Sequence, residues 1–564
     1  MKKLRWQLII IFLTGLVVGV LLLTEQQPVV INPEATPEPT QGGIYREGLI
    51  GSPQRLNPLL DYYNQADRDI NRLIFSSLVK FDGRGFPVGD LAKEWGVSKD
   101  GTIYNLTLKE NLRWQDGKPI TAADVAFTIE MMKAGEGVVP EDIRAFWNDV
   151  EVAALDEVSL QFRLPEPFAP FMDYLTFGIL PQHKLGDISF EDMIDAPYNL
   201  QPVGSGPYRF ENWITENGTI QGVALVISEA YYGKKPYIEQ IQFLFYSTPE
   251  EALAAQQAGA IMGIGEVDRS ILLKVLGDEN LGLYTGRSPE MAMILFNLGN
   301  DEVKFLQDVN VRKALYYGIQ RQKMIDQVLM GQAIQANGPV LPGIWAAYDG
   351  LPVYDYDGAL ARQLLRDAGF EIPAEGEVLM KEDRLLAFTL LYPDDEEHRM
   401  AAEMLQAFWK DLNVQVLIEG VTYDQLINER LANRDYQAAL VDLNLSHSPD
   451  PDPYPFWDTA MAENGQNYTQ WDNRIASEYL EQARITVDLQ ERERLYRNFQ
   501  ILFMQELPAL PLYYPVYNYA VDQQVKGIRM GPLFDASDRF STVGDWYLET
   551  ERRTQPTLTT TATP

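Results

Sequence analysis

Strand-like and helix-like patterns alternate along most of this chain, from residue 44 to about residue 550. Short apolar or alternating runs predict strands at Ile44–Ile50, Thr102–Leu108, Ser159–Leu164, Val223–Ser228, Ile238–Phe245, Met291–Asn297 and Leu510–Tyr514. Helical spacing predicts helices at Glu250–Ala258, Val311–Met330, His398–Asp411, Thr422–Asn433 and Ile475–Asn498, the last with a break near Val487–Asp488. A further helix is expected between Asp357, as its N-cap, and Gly369. This alternation predicts α/β lobes and not a barrel.

The length and composition of the chain indicate more than one hydrophobic core. Its 564 residues exceed the size at which a single core stops growing, so we expect two or more lobes. Apolar residues make up 46 % of the sequence, enough to fill such cores.

The charge and the rarity of certain side chains exclude several classes of function. A formal net charge of −33 repels nucleic acid, so no nucleic-acid partner is expected. The absence of cysteine excludes disulfides, thiolate zinc sites and cysteine nucleophiles. Only three histidines occur, and no two of them have helical i, i+4 spacing. We therefore predict no metal site and no cofactor.

The first 43 residues have the composition of a membrane segment followed by a linker. Lys2, Lys3 and Arg5 precede Trp6–Leu23, an uncharged run that would span about 27 Å as a helix. We therefore predict that residues 1–23 are a membrane anchor or signal segment. We favour an uncleaved anchor, because no small-x-small cleavage site or lipidation cysteine follows Leu23. The chain after it would then lie outside the cytoplasm.

Two further segments have compositions that do not favour a core. Residues 24–43 are rich in proline, glutamate and threonine and are expected to form an extended linker. Residues 551–564 are of low complexity, and we expect a disordered tail.

One fifteen-residue segment, Asn111–Val125, combines a strand end, a turn and a helix start. Asp116–Gly117 supplies the turn, where glycine reaches backbone angles that other residues avoid. Thr121 and Asp124 have the spacing of an N-cap with a capping box. Trp114 could stack on a ligand, but we favour a structural role, because buried aromatic side chains commonly dominate core energetics.

This segment resembles the signature of family 5 (the dipeptide/oligopeptide class) of the solute-binding proteins that serve ABC importers. Other segments of similar kind follow in the order found in that family: Leu56-Asn57-Pro58, Gly204 to Tyr208, Asn310 to Leu315, Asp357 to Gly369, Asp450-Pro451-Asp452-Pro453, and Asp488 with Glu491-Arg492. The resemblance covers nearly the whole region from residue 44 to residue 550.

The resemblance implies a two-lobed clamshell of the large periplasmic-binding-protein type, with lobe I formed from both ends of the chain. Lobe I would comprise residues 44–293 and 513–550, and lobe II residues 294–512. The crossovers would fall near Met291–Asn300 and Pro508–Pro515. It also implies a monomeric, non-enzymatic binder that closes over a small ligand and delivers it to ABC permease subunits.

Several residues outside the Asp-Pro-Asp loop are candidates for ligand contact. Tyr62, Tyr63 and Asn64 combine aromatic and amide groups in one segment, and the resemblance implies that lobe I faces the cleft there. Trp345 belongs to a region that lines the cleft in such lobes and could stack on a sugar or an aromatic group. Arg399 resembles an arginine that holds a dipeptide's carboxylate, although a solvated surface position is the alternative.

The polar segment before the Asp-Pro-Asp loop contributes four more candidates: Asp442, Asn444, Ser446 and His447. In peptide binders of this family an aspartate shortly before the loop pairs with the ligand's α-amino group. Aligned on Asp450, that position is His447, and an imidazole cannot replace a carboxylate as a cation anchor. We therefore expect weak binding of unmodified di- and tripeptides, unless Asp442 or Asp450 takes the role.

Two other classes of function remain open at this point. An anchored glycoside or peptide hydrolase would need a pair of carboxylates, and 80 acidic residues always provide some such pair. A ligand-sensing ectodomain would need a signalling partner. The sequence does not distinguish peptides, oligosaccharides and nickel chelates as ligands.

Overall fold

The computed structural model describes residues 39–374, 376–446 and 449–549. All the helices and strands below belong to the unit that begins at Gln41. Of the preceding unit, Met1–Thr40, only residues 39 and 40 are described, so the predicted anchor and most of the predicted linker lie outside the described residues. The same holds for the predicted tail at 551–564.

The main sheet contains twelve strands. Ten of them lie side by side in the spatial order Gln415–Val421, Ala387–Pro393, Ala438–Asn444, Glu290–Phe296, Ala509–Asp522, Gly263–Ile264, Ile44–Ile50, Gln240–Tyr246, Thr219–Ile227 and Tyr208–Glu216. The strands Leu281–Arg287 and Ala333–Gln335 also pair with Ala509–Asp522. A second sheet of four strands has the order Ala92–Val97, Ile103–Leu108, Ser159–Arg163 and Glu151–Ala154.

Helices cover these sheets. The longer ones are Gln65–Ile74, Ala122–Ala134, Glu141–Asp149, Pro249–Gln257, Val309–Tyr317, Arg321–Val328, Gly358–Asp367, Glu396–Lys410, Arg474–Ile485 and Leu489–Glu506. Short turns of 3₁₀ helix include Ala169–Leu175 and Ala536–Asp545. The alternation of strands and helices confirms the predicted α/β class.

One strand, Ala509–Asp522, connects the two halves of the main sheet; we call it the return strand. Its first half pairs antiparallel with Glu290–Phe296, and its second half pairs with Leu281–Arg287. Between these partners the chain passes through Ser288–Pro289, where the Ser288 amide donates to the Pro515 carbonyl over 3.0 Å. Two adjacent chain segments therefore cross between the halves at the same level.

The buried side chains divide at this crossing. A first core contains residues from 45–243 together with 519–546, and a second contains residues from 291–514 together with Phe534. A smaller third cluster draws on residues 252–281 and Ala520. Both ends of the described chain thus contribute to the first core. The lobe boundaries at 293/294 and 512/513 stay predictions.

Two predicted helices differ from the structure. The single helix expected over Val311–Met330 is two helices, because the first ends at Tyr317 with Gly318 as its C-cap and the second begins at Arg321. The segment Gln425–Leu431 is a π-helix and not an α-helix, with the Ala432 amide bonded to the Ile427 carbonyl. The predicted break near Val487–Asp488 is confirmed: Asp488 caps the helix that begins at Leu489.

Two of the sequence motifs meet in space. The Gln115 side chain accepts from the Gly204 amide over 2.8 Å and donates to the Tyr208 carbonyl over 2.8 Å. A Cβ atom at Gly204 would lie 2.0 Å from the Ile74 carbonyl oxygen, so only glycine allows this approach. Trp114 beside this contact is fully buried, which confirms its structural role. The predicted capping box of Thr121 and Asp124 is also present.

A buried ionic network joins distant parts of the chain inside the first core. The Arg539 guanidinium, 1 % exposed, bonds to the carboxylates of Glu47 (2.7 Å) and Asp69 (2.7 Å). The hydroxyls of Tyr45 and Tyr519 donate to the same Glu47 carboxylate over 2.8 and 2.6 Å. This network ties the first strand, the first helix and the C-terminal segment together.

Replacing Arg539 should destabilise the fold strongly. We expect Arg539→Met to lower the free energy of unfolding by about 3–5 kcal/mol, because Glu47 and Asp69 would be left as buried carboxylates without a counter-ion. Arg529→Met is the matched control, since Arg529 pairs with Asp545 while 71 % exposed, and its loss should change stability by less than about 1 kcal/mol. Urea unfolding followed by tryptophan fluorescence measures both. Equal midpoints for the two variants would contradict this role of the network.

Candidate functional site

A large cavity opens where residues of the first and second cores face each other. Its volume is about 1710 Å³. It is lined by side chains from the segments 61–63, 71–83 and 173–178 of the first part of the chain. The second part contributes Glu290, Pro449, Asp450 and Asp452. Acidic side chains outnumber basic ones in this lining, so the cavity favours positively charged groups.

Four of the predicted site residues line this cavity. Tyr62 and Tyr63 lie at its first-core side, where Tyr63 is 82 % exposed. Burial raises the pKa of Tyr62 above its usual range, so it stays a neutral phenol. Asn444 and Ser446 lie at the second-core side, and the Asn444 side chain accepts from the Ser446 amide over 2.8 Å. These residues stay predicted ligand contacts.

Asn64 and Trp345 have structural positions away from the cavity lining. The Asn64 side-chain oxygen accepts from the amides of Ala66 and Asp67, so Asn64 is the N-cap of the first helix. Trp345 is only 6 % exposed; its ring lies 5.7 Å from that of Tyr496, with the Arg492 guanidinium 5.1 Å from its centre. The expected stacking of Trp345 on a ligand does not fit this geometry, because neighbouring side chains already cover the ring.

Arg399 is exposed and does not line the cavity, whereas Glu397 on the same helix does. Two residues correspond to a rotation of about 200° around an α-helix, so these side chains leave opposite faces. The expectation that Arg399 holds a ligand carboxylate is at odds with this helix register.

Asp442 is already engaged by a histidine. His398 lies between two carboxylates, with Nε2 2.9 Å from Asp442 and Nδ1 2.6 Å from Asp395. Burial lowers the pKa of His398, but hydrogen bonds and charge from Asp442 and Asp395 outweigh burial and raise the pKa to about 9. His398 is therefore a cation at neutral pH, and Asp442 is not a free anchor for a ligand ammonium group. The predicted site residue His447 lies outside the described residues.

Asp450 is the second carboxylate considered as a substitute anchor, and it too is engaged. It forms an ion pair with the buried Arg492 and accepts from the Tyr496 hydroxyl over 3.0 Å. Its amide donates to the Asp173 carboxyl over 3.1 Å, a contact between the second core and the 3₁₀ turn Ala169–Leu175. Burial and the charge of Asp450 raise the pKa of Asp173 well above its usual range.

In residues 39–549, apart from the gaps at 375 and 447–448, no three histidine, aspartate or glutamate side chains are arranged to hold a metal ion. Within those same limits, no helix combines the length and apolar character needed to cross a bilayer.

Comparison with known proteins decides the family. The model of the bacterial extracellular solute-binding proteins, family 5, matches residues 87–466. The chain belongs to this family. It is 25 % identical over 511 residues to the dipeptide-binding protein of Escherichia coli K12, covering 86 % of this chain and 91 % of that protein.

Two further relatives extend the comparison. The oligopeptide-binding protein AppA of Bacillus subtilis 168 is 26 % identical over 511 residues, covering 88 % of this chain and 91 % of that protein. The crystal structure of NikZ from Campylobacter jejuni in complex with Ni(L-His) superposes with a TM-score of 0.66 at 26 % identity, covering 91 % of this chain and 100 % of that one. The chain is thus an extracytoplasmic solute-binding protein, and its family is one of binders and not of enzymes.

Several cavity residues of this family 5 protein were not found from the sequence. Asp61 immediately precedes the predicted Tyr62, and Asn71 follows on the next helix. Glu290 and Glu397 line the second-core side, and burial raises the pKa of both carboxyls. Asp61 could have been named as a candidate from the sequence, because it is adjacent to the predicted Tyr62. The other three positions depend on which helix or strand faces the cavity, which one sequence does not determine.

The paired histidine of this family 5 protein can be titrated directly. Only three histidines exist, so NMR should resolve a His398 imidazole with a pKa of about 9. Asp442→Asn should lower that pKa by about one unit or more, because a hydrogen-bonded negative charge is lost. The exposed Asp301→Asn is the control and should leave the value unchanged.

The pH dependence of stability has a defined sign. The folded-state pKa of His398 is raised from 6.5 to about 9. The contribution of His398 to the free energy of unfolding is therefore fully present below about pH 6.5 and is lost as the pH rises through about 9. A His398 pKa near 6.5 in the unsubstituted protein would contradict the pairing.

Proposed function

We propose that this protein captures a peptide in the 1710 Å³ cavity and delivers it to the permease of an ABC importer. The cavity volume is the observation that carries the proposal, because pockets for small ligands measure roughly 300–1,000 Å³. A peptide of several residues uses the additional space. The relatives named as dipeptide- and oligopeptide-binding proteins support the same class of ligand.

The polar groups around the cavity suit a peptide better than a neutral sugar. A peptide presents amide donors and acceptors along its length, and side chains such as Asn444, Ser446 and Tyr63 lie at both sides of the cavity to pair with them. The excess of acidic groups favours ligands with positive charge, which neutral oligosaccharides lack.

The positions of the acidic side chains also bear on the length of the peptide. Asp442 and Asp450 are paired with His398 and Arg492, so neither is free to fix the amino terminus of a short ligand. Of the other carboxylates at that side of the cavity, Asp452 pairs with Arg484, which leaves Glu290 and Glu397. We infer that peptides of four or more residues, held through many backbone contacts, bind more tightly than unmodified di- and tripeptides.

The two crossing segments provide a hinge for closure. Lobe I and lobe II would rotate about Ser288–Pro289 and the adjacent Pro515–Val516, where two chain segments connect the cores. A ligand that contacts both sides stabilises the closed state. Moving a mostly open population to mostly closed needs a differential binding free energy of about 5 kcal/mol.

The same proposal places the protein at the outer face of the cytoplasmic membrane. The family is extracellular, and the run Trp6–Leu23 has the length and basic flank of an uncleaved anchor. A tether through residues 24–43 would keep the binding lobes near the permease. The protein would work as a monomer, without a cofactor.

Calorimetry with a length series of alanine peptides tests the proposal. We expect penta-alanine and hexa-alanine to bind at least about tenfold more tightly than di- and tri-alanine, because each added residue brings further hydrogen bonds into the cavity. Small-angle scattering should show a smaller radius of gyration with the tighter ligand. Intact peptides recovered afterwards would exclude a hydrolase.

The alternatives give different results in the same experiment. Cleaved peptide products would support an anchored hydrolase, and copurification with a kinase in place of a permease would support a sensor. Tight binding of an oligosaccharide pool, with none of the peptides, would contradict the proposed ligand class.

A further inference from the structure

Asp61 and Asn71 form a corner of the cavity that contains unused hydrogen-bond acceptors. The Asn71 side-chain nitrogen donates to one Asp61 carboxyl oxygen, Oδ2, over 2.8 Å. Asn71 is only 4 % exposed, and its own oxygen, Oδ1, has no hydrogen-bond partner among the described residues. Among the described residues, no hydrogen-bond donor contacts the other Asp61 carboxyl oxygen, Oδ1. Both residues line the cavity.

The nearest cation does not neutralise this carboxyl group directly. Arg68 uses Nη1 on the backbone carbonyls of Asp61 and Tyr62, Nε on Asp535 and Nη2 on Gln65. Its charge lowers the pKa of Asp61, and the charges of Asp67 and Asp535 raise it.

Burial dominates the titration of Asp61. It raises the pKa to about 8, against the hydrogen bond from Asn71 and the charge of Arg68. Burial has the largest effect on the pKa of Tyr62 and raises it, and the negative charges of Asp61 and Asp142 raise it further. Asp142 is therefore a second acidic group near this corner. The free protein therefore holds Asp61 mostly as a neutral acid at pH 7.

Three carboxylates that are more deeply buried than Asp61 each have a cation of their own. Glu47 and Asp69 pair with Arg539, and Asp450 pairs with Arg492. A buried acceptor without a donor is costly and calls for a partner. In a ligand cavity that partner is supplied by the ligand, and a group with several donors and a positive charge satisfies both Asp61 and Asn71.

We propose that Asp61 and Asn71 form a subsite for a cationic nitrogen group of the bound peptide, namely an ammonium or guanidinium group. Tyr62 follows Asp61 directly in the sequence, and its hydroxyl lies 3.9 Å from the Met132 sulfur; both side chains line the cavity. The methylene groups of a lysine or arginine side chain pack on such surfaces. The inference rests on the proposed function and names a class of peptide for it.

Occupation of the subsite expels a proton. The positive ligand group stabilises the carboxylate form of Asp61, so the carboxyl proton leaves for the buffer as the ion pair forms. With a starting pKa of about 8, close to one proton is released per cationic group bound at pH 7. A neutral ligand group at the same place releases none.

Titration calorimetry on the full chain tests this with N-acetylated alanine pentapeptides. Each peptide carries one lysine, or one norleucine as its uncharged counterpart, and every position is tested in phosphate and in Tris buffer at pH 7. We expect lysine at one position or more to bind about tenfold or more tightly than norleucine. The difference in heat between the buffers should correspond to about one released proton.

Variants connect the effect to Asp61. Asp61→Asn keeps the shape but cannot ionise, so it should abolish both the lysine preference and the proton release. Asp195→Asn removes a similar charge from an 88 % exposed site outside the cavity and should change neither. The proton release in the unsubstituted protein needs no variant, so the test stands even if Asp61→Asn does not fold.

The possible outcomes separate this inference from the proposed function. Equal binding of lysine and norleucine peptides at every position, without proton release, would overturn the subsite and leave peptide binding intact. A lysine preference that persists in Asp61→Asn would overturn the assignment to Asp61. If free-amine pentapeptides release the proton and acetylated ones do not, the subsite takes the amino terminus, which supports the cation chemistry. No binding of any peptide would contradict the proposed function as well.

Discussion

The buried contact of Arg539 with Glu47 and Asp69 is the interaction on which the arrangement of the chain depends. Each carboxylate belongs to the first strand or the first helix, whereas the guanidinium comes from the C-terminal segment. Charges with this little exposure are tolerated only as a matched set, since each alone would be strongly unfavourable. The network therefore requires both ends of the chain to meet in one core. The segment between them must then leave that core and come back.

The path of the chain out of the first core and back into it creates the binding cavity. The chain leaves the first core through Ser288–Pro289, forms the second core and re-enters through the return strand. Both crossings lie at one level, so the two cores face each other on one side of them. Asp442 and Asp450 of the second core are engaged by His398 and Arg492, whereas Asp61 on the opposite side has no ion pair with a cation among the described residues. The distribution of paired and unpaired charges, more than the net charge, gives the cavity its chemical preference.

Much of the fold follows from local sequence patterns. Strand Ile44–Ile50 and the capped helix after Asp357 are set by alternation and capping chemistry, which short segments contain in full. The helix expected over Val311–Met330 divides at Gly318, and the sequence shows that glycine without showing that the chain turns there. Tyr62 and Ser446 line the cavity, and they were candidates because they occupy polar segments near family motifs. Three other candidates do not fit ligand contact in the structure: Trp345 is buried, Arg399 lies on the helix face away from the cavity, and Asp442 pairs with His398. These features arise only from tertiary contacts, so the sequence did not show them.

The most direct test of the central claim is a crystal structure of the protein grown with penta-alanine. We predict continuous peptide density in the cavity between Tyr62 and Ser446, with the two cores rotated toward each other about Ser288–Pro289 relative to crystals grown without peptide. Density for the peptide elsewhere on the surface, with an empty cavity, would contradict the account.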